Sequence, residues 1–150
     1  MIDVDLLETV RDVLGRGLPV RFQAKGFSMS PFIRNGDVVT LSPFNGALPR
    51  FGDVVGFAAQ EPGRLTLHRV TGKKGGFYVV RGDSCTEPDG LIPASRIVGV
   101  VEKVERCGKR VSGGIGRERY VIACLSRLEI FLPLQRVVAA VFRRLFREQM

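Results

Sequence analysis

The residues of this chain whose types and spacing could do chemistry fall in three short blocks. The first is Gly26-Phe27-Ser28-Met29-Ser30-Pro31, followed at Gly36-Asp37-Val38-Val39 by a strand-opening turn. The second, Leu65-Thr66-Leu67-His68-Arg69-Val70, holds the single histidine of the chain. The third, Arg81-Gly82-Asp83-Ser84-Cys85-Thr86-Glu87-Pro88-Asp89-Gly90, supplies two aspartates. A serine hydroxyl is a poor nucleophile at neutral pH until a base takes its proton. Imidazole suits that task because its unperturbed pKa, about 6.5, lies near the operating pH. A carboxylate would then hold the ring in the useful tautomer and stabilise its charged form. In this reading Ser28 attacks a peptide carbonyl, and His68 takes the proton and returns it to the leaving amine. Asp89 or Asp83 orients the imidazole, and spacing alone leaves both open. A turn at Gly26-Phe27 would let backbone N–H groups of Ser28 and its neighbours face the developing oxyanion, with Met29 and Pro31 shaping the adjoining wall. Cys85, with no second histidine to serve it, reads as a small, buried or half-buried thiol. No lysine lies between Val38 and Gly72, and Lys73 and Lys74 read as a solvated hairpin tip.

Taken singly, each block has an ordinary structural explanation as a turn or a strand end. Joined in this order they resemble the signal peptidase and LexA-like superfamily of serine proteases. The nucleophile block is similar to that family's G-x-S-M-x-P, followed by G-D and an apolar strand. His68-Arg69-Val70 and Gly82-Asp83 resemble the endoplasmic-reticulum-type members, which use a histidine base where bacterial signal peptidases and LexA-like repressors use lysine. The resemblance places Asp89 at the position of the orienting aspartate. Gly26 stands where many signal peptidases carry a serine, so the oxyanion role falls to backbone alone. The resemblance spans roughly Arg21 to Val101 and implies a fold of curved antiparallel β-sheets. It implies a serine endopeptidase acting on a leader or precursor peptide, bound in extended form. A LexA-like self-cleaving regulator and a non-catalytic peptide-binding module are the alternatives. Only 27 residues precede Ser28, with neither a helix-turn-helix pair nor an Ala-Gly step, which disfavours the regulator.

The elements that must position these blocks can be read from pattern. The 150 residues are one domain's worth of chain, 45% hydrophobic and 25% charged. Leu6, Leu7, Val10, Val13 and Leu14 follow helical spacing, with Asp3 or Asp5 to cap and Gly15-Arg16-Gly17 to end an amino-terminal helix within residues 1–17. Valine-rich strands are expected at Val20–Ala24, Asp37–Leu41, Asp53–Ala58, Leu65–Val70, Phe77–Val80 and Ile97–Val104, separated by Gly and Pro turns. That is a mainly β domain over residues 18–112, without internal repeats. Asp37 and Asp53 are expected to bond turn backbone. Residues 113–150 read as a carboxy-terminal helical extension interrupted at Pro133, which can start a new helix. Beyond it Leu134, Val137, Val138, Val141, Phe142 and Leu145 form an apolar stripe beside Arg136, Arg143, Arg144 and Arg147. Such a helix suits the protein's own core, an anionic membrane surface or a partner's groove.

The net charge of +8 is uneven: residues 1–101 carry 12 basic and 10 acidic side chains, and residues 102–150 carry 11 and 5. No zinc-finger, RNA-recognition or basic-zipper pattern accompanies it, so nucleic acid is not the expected partner. Cys85, Cys107 and Cys124 lack C-x-x-C spacing, which argues against a zinc site or disulfide framework and for a reducing compartment. No cofactor or metal is expected. The acidic start of the chain is unlike a secretory signal, and no window reaches the ~18–20 apolar residues that cross a bilayer. The expected setting is therefore the cytoplasm, with the last helix docked on the protein's own body or, as the alternative, in peripheral contact with an anionic membrane.

Overall fold

In the computed structural model, residues 4–59, 63–128 and 133 are described. Helix α1 (Val4–Gly15) lays the apolar side read from its spacing inward: Leu7, Val10 and Leu14 are buried. It stops where Gly17 takes φ 78° and donates its N–H to the Leu14 carbonyl at 2.9 Å. The strands are β1 (Val20–Gln23), β2 (Val38–Ser42), β3 (Val54–Ala58), β4 (Leu65–Lys74), β5 (Phe77–Arg81), β6 (Leu91–Ile92), β7 (Ile97–Arg106) and β8 (Lys109–Arg110). They form one sheet in the order β1-β2-β7-β3-β4-β5-β6, with β8 paired to β7. Every pairing is antiparallel, and the sheet curls into a half-barrel. The expected mainly β class holds, with a helix at each end of the described chain.

Three differences from the sequence expectation have physical causes. Strand β4 runs on to Lys74, because an extra residue at Thr71 is absorbed as a bulge between Val70 and Gly72 and the ladder to β5 resumes. The turn is then left to Gly75 and Gly76, both at positive φ. The two-residue strands β6 and β8 have no pattern of their own and exist only because β5 and β7 offer them an edge.

The core has two faces. Alternate residues of β3, all five of them buried, point to opposite sides. Val54 and Ala58 join Leu41, Val39, Val101, Val104, Met29, Ile33 and the buried residues of α1. Val55 and Phe57 join Val70, Tyr78, Val80 and Ile92. Each fully buried Val, Leu or Phe contributes roughly 1.5–3 kcal/mol. Gly56 and Gly99 are cross-strand partners, and the packing needs both bare: a Cβ on Gly99 would lie 2.7 Å from the Ser42 carbonyl oxygen, and one on Gly56 2.8 Å from a Leu41 methyl.

Strands β2 and β3 are entered by the same device. Arg34-Asn35-Gly36-Asp37-Val38-Val39 and Arg50-Phe51-Gly52-Asp53-Val54-Val55 share the pattern R-x-G-D-V-V. In each, glycine sits near φ 90° (92° and 90°) and the aspartate carboxylate accepts the arginine's backbone N–H, at 2.7 and 2.8 Å. Asp37 and Asp53 thus do the turn-bonding work expected of them. Helix α2 (Arg119–Arg127) docks on β4 with Ile122, Ala123 and Ser126 buried. Asp3 and the arginine-flanked helix expected after Pro133 lie outside the described residues. Among the described residues no helix is long and apolar enough to cross a membrane.

Candidate active site

Ser28 sits in the turn that links β1 to β2. Gly26 opens it at φ 96°, and the side chain of Asn35 accepts the Gly26 N–H at 3.0 Å. The turn closes through Ser30 N–H to the Phe27 carbonyl (3.1 Å) and Ile33 N–H to the Met29 carbonyl (3.0 Å). The Ser28 side chain is half-buried, and Met29 beneath it is 4% exposed.

His68 lies in the first half of β4, opposite Val55, and is buried with its ring tilted against Phe57 at 5.9 Å between centroids. Strand β5 pairs with β4 only from Arg69 onward. After β5 the chain swings out as the loop Gly82–Gly90 and returns as β6. The Asp89 N–H donates to the Val80 carbonyl at 2.9 Å, which brings its carboxylate onto Nδ1 of His68 in a short hydrogen bond. The other ring nitrogen, Nε2, faces Gly82. A Cβ there would lie 2.9 Å from Nε2, 2.7 Å from the Ser28 carbonyl oxygen and 2.6 Å from Cys85 Sγ. Only a bare backbone fits between them. The same loop grips the Ser28 turn, since Ser84 donates its N–H to the Ser28 carbonyl at 2.9 Å and its hydroxyl to the Phe27 carbonyl at 2.6 Å.

Three of the four catalytic candidates therefore converge. Ser28, His68 and Asp89 meet through one loop, although among the described residues no hydrogen bond joins the Ser28 hydroxyl to the imidazole. Asp83, the competing orienter, is committed elsewhere. Its two oxygens accept from Arg69 Nε and Nη2, both at 2.7 Å, and neither side chain of the pair has any exposure. Burial pushes the Asp83 carboxyl up, against the pull of that guanidinium. Arg69 Nη1 also donates to the Gly52 carbonyl (3.0 Å) and the Gly114 carbonyl (2.7 Å), so this residue fastens β4 to two distant loops behind the site.

The remaining candidates divide. Gly26 and Met29 line a cleft of about 280 Å³ beside Ser28. Phe27, 73% exposed, and Pro31, also exposed, are not among its lining residues, and the Pro31 carbonyl accepts Arg34 Nε at 3.3 Å in the turn beyond. The Gly26 N–H is consumed by Asn35, whereas those of Phe27, Ser28 and Met29 donate to no acceptor among the described residues. The backbone N–H groups left without an acceptor among the described residues are thus those at and beside Ser28. Cys85 is half-buried, as expected, and burial followed by the neighbouring Asp89 charge pushes its thiol up, away from thiolate chemistry. Sequence reasoning missed Gly82 as a close-approach position, and also Ser84, Asn35 and Arg69. Only Arg69 left a local signal, an arginine inside an apolar strand. Among the described residues no group of three or more His, Cys, Asp or Glu side chains is placed to hold a metal ion.

No protein-family model matches this chain, and no curated protein matches it.

Proposed function

We propose that this protein is a serine endopeptidase that cleaves a leader or precursor peptide, with Ser28 as nucleophile, His68 as general base and Asp89 as the group that orients the imidazole. The observation that carries the reading is the double role of the Gly82–Gly90 loop, which delivers Asp89 to His68 Nδ1 while clamping the Ser28 backbone beside Nε2. Asp89 keeps the proton on Nδ1, so the free Nε2 takes the Ser28 proton as the hydroxyl attacks and returns it to the leaving amine. The negative oxygen of the tetrahedral intermediate is met by the unused N–H groups of Ser28 and its neighbours. Leu65–Leu67 of β4 lack a β5 partner and form one wall of the cleft, while Phe22 of the terminal strand β1 contributes to its lining. A substrate strand laid between them gains backbone hydrogen bonds on a ready template.

The test is a purified Ser28→Ala variant, used both to measure turnover and to trap substrates whose termini are then read. Turnover should fall by several orders of magnitude while the fold persists, because the Ser28 hydroxyl makes no hydrogen bond to any described residue. Near-wild-type cleavage by the variant overturns the proposal. A peptide-binding module on the same scaffold is the second reading, favoured by the missing Ser28–His68 hydrogen bond. It is distinguished by trapped peptides that wild-type protein binds and leaves whole.

A further inference from the structure

The cleft beside Ser28 has an apolar floor and a cationic rim. Met29, Ile33 and Leu65 supply the first, and Lys25, Arg34 and Arg64 the second. No acidic side chain is among the described residues that line it. Arg34 shares its charge with Asp37 in the turn below. Lys25 and Arg64, both exposed, engage in no ion pair with any described residue. They come from separate segments that line the same cleft, Lys25 from the chain after β1 and Arg64 from the residue before β4. Two like charges facing one groove over an apolar floor repel each other, and an anion placed between them relieves that repulsion. A neutral or basic side chain there gains nothing from the rim.

We infer that this cleft selects a peptide carrying an aspartate or glutamate close to the scissile bond, with the carboxylate seated between Lys25 and Arg64 and the neighbouring apolar residues on the floor. The inference rests on the peptidase reading for the words "scissile bond", but the binding preference stands or falls by itself. A main-chain carboxyl terminus offers the same chemistry, and the proposal commits to the side chain.

The probe is a positional library of N-acetylated, C-amidated octapeptides in which Glu, Gln, Lys or Leu occupies each position in turn, so that a side chain is the only carboxylate. Binding is measured on the full-length Ser28→Ala chain, where cleavage cannot interfere. At one or two positions Glu should bind about tenfold tighter than Gln, a step of about 1.4 kcal/mol. That preference should shrink with added salt. Arg64→Glu, and independently Lys25→Glu, should turn it toward Lys at the same positions. Both residues are exposed, so either variant serves if the other folds poorly. Equal binding of Glu and Gln peptides at every position overturns the inference, as does a preference that survives both charge reversals. The best-bound sequence is then offered to wild-type protein. Glu preference without cleavage supports the inference and sinks the peptidase reading; cleavage without Glu preference does the reverse.

Discussion

The two aspartates of the Gly82–Gly90 loop differ in what they touch, and so in what their removal does. The Asp89 side chain is one-third exposed and, among the described residues, its carboxylate hydrogen-bonds the imidazole alone, so Asp89→Asn should leave thermal stability nearly unchanged. Turnover should fall by about four orders of magnitude, because an amide favours the wrong tautomer of His68. Asp83→Asn instead strands a fully buried guanidinium. It should cost about 3–5 kcal/mol of stability, while the molecules that remain folded keep their catalytic residues. Thermal denaturation and turnover per folded molecule, measured on both variants, separate the roles; a catalytic collapse confined to Asp83→Asn would reverse the assignment. The sequence carried this choice only part-way. Spacing left Asp83 and Asp89 equal, and the resemblance alone preferred Asp89. A hydrogen bond between residues 21 apart depends on how the loop folds back, which no local pattern encodes.

At the scale of elements, the paired R-x-G-D-V-V turns aim β2 and β3, and through them both sides of the cleft. Each aspartate closes its own turn and also holds an arginine from afar: Arg106 on Asp37 at 2.7 and 2.8 Å, and Arg119 on Asp53 at 3.0 Å. Burial works against ionisation of Asp37, but the Arg106 guanidinium and the Arg34 N–H outweigh it and hold the carboxyl below its ordinary range. A carboxyl depressed by folding contributes stability above its unfolded pKa, about 3.9, and loses it as pH falls through the lower folded value. Asp37→Asn should therefore cost about 2 kcal/mol at neutral pH. Its deficit relative to wild type should close in the acid window below about pH 3.9. Urea unfolding of both proteins across an acid pH series checks this. A deficit that stays constant to the lowest pH would mean that packing, and not charge, is what the side chain supplies. The turns were legible as Gly-Asp signals before valine runs. Their distant arginine partners were not, because Arg106 lies just past the strand read at Ile97–Val104 and Arg119 inside a segment that reads simply as helix.

At the scale of the whole molecule, the net charge of +8 has the sign that, on the proposed reading, would raise the local concentration of acidic peptides. The kcat/KM for a glutamate-bearing substrate should fall about fivefold as salt shortens the Debye length from about 10 Å to about 3 Å, with its glutamine analogue nearly unaffected. Parallel salt series on the two peptides decide it, and equal slopes would remove electrostatic steering from the account. What the sequence by itself determined is whatever has a local cause. Valine-rich runs made strands, helical spacing made α1, glycines made turns, and three motifs in order singled out Ser28 and His68 as candidates. Only the tertiary structure decided that Gly82 must be bare, that Ser84 grips a turn 57 residues away, that Asp83 belongs to Arg69, and that Lys25 faces the same cleft as Arg64. Periodicity reports which face of an element is apolar. It carries no information about which residues from separate elements meet once those faces are packed, because that depends on register, sheet curl and loop path together.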